Sequence, residues 1–384
     1  MAATFPLFPR SDTSIAPVIG AAQATLPVTR CKRMRGAVPL RGSRMLISLQ
    51  ALRALAAWLV VFHHVMQIFF DFKAESALGR FFVERGAIGV DIFFVISGFV
   101  IYLSTRGKDI QAGRFMLNRF FRIVPAYWLY SVMVALIIVY ARPVMPTQAF
   151  DLKHFLLSLL FVPAPNPGGF GLYPTLSVGW TLNYEMFFYL VFALSLAAPQ
   201  RWRPGLIGIA LVLVSAVLAR QSWLGEFYRN SIIYEFLFGV AIGVAHCCGW
   251  LRLGFGLAST LLATSLLAIQ QLDSSMRLLH WGVPSAMLVV ACIALEPWFR
   301  AARPLKLLGD CSYSVYLVHV IVLSLGWYLV ERFSLNAYGV IAACLPVILL
   351  ASWASYEWIE KRSFRYARRW LDTDPARLTR PQLS

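Results

Sequence analysis

Long apolar runs, broken by short polar stretches rich in arginine, dominate residues 45–360. Their length suits a hydrocarbon layer, the pattern of membrane-embedded helices. Ten spans are predicted, over 46–69, 88–105, 123–140, 181–198, 206–219, 232–248, 254–270, 281–297, 313–330 and 337–358. The fifth is short. The stretch HFLLSLLFV, which begins at His154 and stops at Pro163, is too short to cross and reads as a re-entrant segment. The expected fold is an all-α polytopic membrane protein, a bundle of about ten transmembrane helices.

Polar positions inside the runs carry the chemical information. The first run, MLISLQALRALAAWLVVFHHVMQIFF, contains Arg53 and His64. Eleven residues are three helical turns plus about 20°, so both project from one face, about 16 Å apart along the axis, and His63 does not share it. Ionisable groups in a bilayer are costly and are functional by default. The second span opens GAIGVDIFFVISGF, with Asp91 just inside the outer face. It reads either as a helix cap or as a partner for His64, where a carboxylate on one imidazole nitrogen would raise the basicity of the other. Gly86, Gly89 and Gly98 permit close helix approach.

Arg119 and Arg122 in FMLNRFFRIVPAYWLY lie one turn apart, as membrane anchors or as a forked grip on phosphate. Glu185, in WTLNYE, sits about one turn inside the fourth span, as a working carboxylate or a bond to another helix. Trp180, Tyr173 and Tyr184 are belt residues or a platform for sugar stacking. His319, in YSVYLVH, falls near mid-membrane, where an interhelical hydrogen bond is the simplest role. Glu235, Glu296, Glu331 and Glu357 lie near span ends, where anchoring or pairing suffices.

Composition sharpens the class. The chain has 384 residues, 59% hydrophobic and 14% charged, more apolar surface than one soluble core can hide. Its net charge of +17 does not indicate nucleic acid, because the basic residues punctuate apolar runs instead of gathering on one soluble face. Most of the Lys and Arg fall in alternate loops, which predicts both termini on the cytoplasmic side. Residues 1–44 lack the apolar core of a signal peptide and are expected to form a disordered basic cytoplasmic arm, with Met34 and Met45 as alternative starts. Residues 45–360 form the membrane domain, and 361–384 a basic cytoplasmic tail. The six cysteines show no metal-type spacing, and the chain has no phosphate-binding or dinucleotide-binding glycine loop.

Taken in order, Arg53-x10-His64, GVDIFFVISGF, Arg119-x-x-Arg122, WTLNYE and YSVYLVH resemble the acyltransferase 3 family of integral-membrane O-acyltransferases, over nearly the whole chain. The first motif is similar to that of rhizobial exopolysaccharide acetyltransferases. The resemblance implies transfer of an acyl group, usually acetyl, from acetyl-CoA inside to a sugar hydroxyl outside, in a bacterial cell inner membrane. No tightly bound cofactor is implied, acetyl-CoA being a substrate. The family histidine maps to His64 and its basic partner to Arg53, and the proposed coenzyme A contact falls on Arg119 and Arg122. Asp91 and Glu185 join His64 as expected catalytic residues, towards the outer side, with His319 and Trp180 as further candidates. Thr181 stands where the family more often has Ser. The alternative is a transporter or flippase for lipid-linked sugars, which would share the spans but favour broken helices or repeated halves.

Overall fold

The computed structural model describes residues 46–218, 222–299 and 302–372, and the arm expected over 1–44 lies outside them. The described residues are helical and contain no strand. In chain order they form α1 (Ile47–Phe70), α2 (Ala77–Arg85), α3 (Ile88–Thr105), α4 (Ala112–Tyr140), α5 (Leu152–Leu159), α6 (Trp180–Ser195), α7 (Arg203–Leu218) and α8 (Ser222–Tyr228). There follow α9 (Glu235–Cys247), α10 (Phe255–Gln271), α11 (Val283–Ala294), α12 (Glu296–Phe299), α13 (Arg303–Phe333), α14 (Ala337–Ser355) and α15 (Lys361–Asp372). Single π-helical turns precede α11, at Leu278–Gly282, and join α14 to α15, at Tyr356–Glu360.

Among the described residues five segments are long and apolar enough to cross a membrane: Ile47–Phe70, Ile88–Thr105, Ala112–Tyr140, Pro304–Phe333 and Ala337–Arg369. Four shorter apolar helices, Arg203–Val217, Ser231–Cys247, Phe255–Gln271 and Leu278–Ala294, accompany them. Leu129, Leu136, Ile209, Leu267 and Leu350 stay exposed on the outside of the bundle, as lipid-facing side chains do. The stretch from His154 becomes α5, eight residues capped by the Asp151 carboxylate on the His154 amide at 2.7 Å.

Helix α1 is the hub, packed against α13, α3 and α11. Small residues make this possible. A Cβ on Gly89 would lie 2.2 Å from the Ala56 carbonyl, and one on Gly309 would lie 2.2 Å from that of Gln50. Close backbone approach of this kind is how helices associate where lipid removes the hydrophobic drive. The start of α1 has no cap of its own, and Glu296 supplies one from α12, accepting from the amides of Ile47 (3.0 Å) and Ser48 (2.8 Å). A carboxylate there satisfies orphan donors and suits the helix dipole.

Candidate active site

His64 and His319 meet across the α1/α13 contact, with His319 Nε2 3.2 Å from His64 Nδ1. His319 Nδ1 lies 3.0 Å from the carbonyl of Val315, which can only accept, so that nitrogen carries the proton and Nε2 holds a lone pair. His64 Nδ1 faces this lone pair and the Val60 carbonyl at 2.9 Å, again two acceptors, so it too is protonated. The network therefore assigns the neutral His64 tautomer whose Nε2 is an unprotonated base. His319 has no exposed surface, whereas His64 is only half-buried. His63, one residue earlier, turns away to the Phe82 carbonyl at 3.0 Å.

The expected partner for His64 was Asp91, and the structure corrects this. Asp91 is fully buried and accepts two hydrogen bonds from Arg277, from Nε at 3.0 Å and Nη2 at 2.7 Å. A planar fork on a carboxylate is the stronger arrangement, and it leaves the histidine to be oriented by another imidazole. Arg277 also lies over the Trp281 ring at 5.2 Å. Beside this pair Glu235, expected to be an end-of-span anchor, is completely buried against Gly282. Arg277 lies between the predicted spans 254–270 and 281–297, and its sequence signal is a lone arginine one turn ahead of a tryptophan at a span start.

A cavity of about 350 Å³ is lined by Arg53, Arg119, Arg122, Glu185, Tyr189 and Tyr316, among others. That is the size of a small-ligand site. Arg53 and His64 thus occupy one helix, with Arg53 facing the cavity. Its Nη1 donates to Gln50 Oε1 at 3.3 Å, Gln50 Nε2 donates to Asp310 at 2.8 Å, and Lys306 holds the second Asp310 oxygen at 2.7 Å. Gly309 allows this chain to form by letting α13 reach the Gln50 turn. Arg119 lies over the rings of Phe115 (5.5 Å) and Tyr189 (5.8 Å), and its buried Nε has no hydrogen-bond partner.

Glu185 was expected on the outer side with His64, but it lines the cavity with the arginines. Ser97 Oγ donates to it at 3.2 Å and the Tyr189 hydroxyl donates to the same oxygen. Glu360, which sequence reading missed because it lies just past the last predicted span, is buried and accepts from Ser314 at 2.5 Å. It shares the electrostatic surroundings of Arg53 with Arg122, Glu185 and Asp310. The Tyr316 hydroxyl donates to the Val178 carbonyl and pairs with Thr181 Oγ1, both at 2.9 Å, so Thr181 keeps the hydroxyl that its Ser counterpart would provide. Tyr316 lines the cavity and its ring is 6.0 Å from His319. Of the aromatic trio, Tyr184 is buried with its hydroxyl on the Phe227 carbonyl and cannot serve as a platform, while Trp180 stands half-buried and edge-on to Tyr173 at 6.4 Å.

The bundle thus holds a histidine pair and a cavity lined by arginines. The acyltransferase domain of the acyltransferase 3 family matches residues 46–357, and the chain belongs to that family of membrane acyltransferases. It is 35% identical over 306 residues to exopolysaccharide production protein ExoZ of Rhizobium meliloti (strain 1021), covering 77% of this chain and 95% of that protein. It is 27% identical over 385 residues to acyltransferase MdmB of Streptomyces mycarofaciens, covering 88% and 97%. With peptidoglycan O-acetyltransferase OatA of Listeria monocytogenes the identity is 31% over 189 residues, covering 44% and 28%. No solved structure matches the chain.

Proposed function

We propose that the chain takes acetyl from acetyl-CoA on the cytoplasmic side of a bacterial inner membrane and places it on a hydroxyl of an extracytoplasmic polysaccharide or lipid-linked sugar. The helices act as a ten-span bundle with both termini in the cytoplasm, a reading that the distribution of Lys and Arg favours. The observation that carries the reading is the tautomer chain Val315, His319, His64, which presents His64 Nε2 as a base on the helix that also brings Arg53 to the cavity. The names of the relatives, an exopolysaccharide production protein and a peptidoglycan O-acetyltransferase, support a carbohydrate acceptor.

Arg53, Arg119 and Arg122 hold the phosphates of the donor through charge-assisted, forked hydrogen bonds. The pantetheine arm then runs along α1 for the roughly 16 Å that separate Arg53 from His64. His64 Nε2 accepts the proton of the acceptor hydroxyl as its oxygen attacks the thioester carbonyl carbon. The C–S bond breaks, and the proton passes from the imidazolium to the departing coenzyme A thiolate. His319 acts through His64, accepting from its Nδ1–H and so holding the ring in place. Glu185 offsets arginine charge when the cavity is empty and steadies Tyr189 beneath Arg119. Asp91 acts at one remove, by holding Arg277. Trp180 offers an aromatic face to the acceptor sugar.

The test is transfer of radiolabelled acetyl from acetyl-CoA to surface polysaccharide in membranes carrying wild type, His64→Ala or His63→Ala at matched expression. His64→Ala is expected to lose about 10²- to 10⁴-fold of the transfer rate, with His63→Ala close to wild type. Full labelling with His64→Ala would overturn the assignment of the base. No acetyl transfer by wild type would overturn the choice of donor.

A further inference from the structure

The segment that sequence reading treated as a plain basic tail begins as an ordered helix, α15, seated at the mouth of the arginine cavity. Phe364 of α15 is one of the cavity's lining residues. Ala367 is fully buried, and the Tyr366 ring lies 6.0 Å from that of Phe121, the residue before Arg122 on α4. The helix therefore lies along the stretch of α4 that carries the paired arginines.

Its charge is laid out with a direction. At 100° per residue Lys361, Arg362, Arg365, Arg368 and Arg369 fall within an arc of about 120°, while Phe364, Tyr366 and Ala367 occupy the remainder. Arg368 lies at the edge of that arc nearest Phe364, and Arg365 at its centre. Arg368 is stacked over the Phe364 ring at 5.2 Å, at the cavity mouth. Lys361 is spent on Glu357, whereas Arg365 and Arg368 are exposed and have no carboxylate partner among the described residues.

The balance of charge inside the cavity shows why this matters. Arg53, Arg119 and Arg122 share the interior with Glu185, and Arg53 also feels Glu360 and Asp310. Carboxylates therefore offset much of the interior cation charge. The donor in the function proposed above carries a diphosphate between pantetheine and adenosine, and a separate monoester phosphate on the ribose 3′ oxygen. A diphosphate held by the interior arginines leaves the adenosine end, with its dianionic monoester, pointing out through the mouth. Arg365 and Arg368 of α15 are the cations at that mouth without a carboxylate partner among the described residues.

We infer that α15 is a second anion subsite of the enzyme, in which Arg365 and Arg368 bind the ribose 3′-phosphate of coenzyme A. The inference rests on coenzyme A being the donor. The same chemistry would also suit the phosphate of an anionic lipid headgroup, since a basic amphipathic helix at a bundle edge can lie in the interface.

The experiment is equilibrium binding to the full chain in nanodiscs of neutral phosphatidylcholine, which supply no anionic headgroup. Coenzyme A is compared with 3′-dephospho-coenzyme A, which lacks only the phosphate in question. Wild type is expected to prefer coenzyme A by about tenfold or more, the worth of one charge-assisted contact. The double variant Arg365→Gln/Arg368→Gln is expected to lose that preference and keep its affinity for the dephospho form. Arg362→Gln, at the far side of the basic arc, is expected to leave both affinities unchanged. Thermal unfolding matched to wild type shows that the variants are folded.

A preference that survives in the double variant, or equal binding of the two ligands by wild type, overturns the subsite and leaves the donor reading intact. Equal weakening of both ligands by the double variant also overturns it, making α15 a structural or headgroup-binding element. Wild type that binds neither ligand overturns the donor reading and the subsite together.

Discussion

Arg277 and Arg119 are both cations drawn into the bundle, but their surroundings differ. Arg277 gives two hydrogen bonds to Asp91, and its remaining surface stacks on Trp281. Arg119 lies on the rings of Phe115 and Tyr189, with a buried Nε that has no partner, in a cavity open to a ligand. A buried donor left unpaired costs roughly 1–3 kcal/mol, so it persists where an incoming group repays it. Both Asp91 oxygens are taken by Arg277, with Glu235 buried beside the pair, and the contact holds α3 to the turn before α11. The arginine cavity keeps an unpaired buried donor, which the anionic donor of the proposed function would satisfy.

If that contrast holds, the largest effect falls on the closed pair. Asp91→Asn leaves Arg277 half-buried without its counter-charge and is expected to lower stability by about 3 kcal/mol, the low end for a broken buried pair. Thermal unfolding in detergent measures it. The double change Asp91→Leu/Arg277→Met is expected to recover most of the loss, and unchanged stability in Asp91→Asn would break the comparison.

The open site is expected to answer in kinetics. His319→Leu removes the acceptor for His64 Nδ1 and is expected to lower kcat by roughly 10- to 100-fold, as loss of an orienting partner does in comparable sites, with KM for the donor little changed. His319→Asn, which keeps an acceptor oxygen, is expected to regain part of the rate. A KM effect without a kcat effect would instead place His319 in donor binding. Arg119→Gln is expected to raise the donor KM about tenfold with kcat preserved, and an unchanged KM would remove Arg119 from the donor grip. The smallest effect belongs to Tyr189→Phe. It removes one donor to Glu185 while Ser97 remains, about 1 kcal/mol, read as a fall in unfolding temperature with transfer activity largely kept.

Sequence pattern located most of the individual polar residues but few of their partnerships. Arg53 and His64 were legible as a pair because both lie on one helix, whose 3.6-residue period fixes relative direction. Arg119 and Arg122 were legible for the same reason. Asp91 was placed correctly within its span but given the wrong partner, since its true partner, Arg277, is 186 residues away. Glu185 was found by its cost in an apolar run, yet it lines the arginine cavity rather than accompanying His64. Glu360 escaped because a carboxylate just beyond a span looks solvated, whereas it ends the π-turn at Tyr356–Glu360 and is buried there.

From sequence alone came the membrane class, the helical nature of the chain, the helix face shared by Arg53 and His64, and the ordered motifs that mark the acyltransferase 3 family. Local rules suffice for these, because helix period and hydropathy act over neighbouring residues. Only the tertiary structure decided that His319 orients His64, that Arg277 takes Asp91, that Gln50 and Asp310 aim Arg53, and that α15 sits at the mouth of the cavity. Each of these joins residues from different helices. Their meeting depends on where glycines such as Gly89 and Gly309 let backbones come together, and that is a property of the packed bundle.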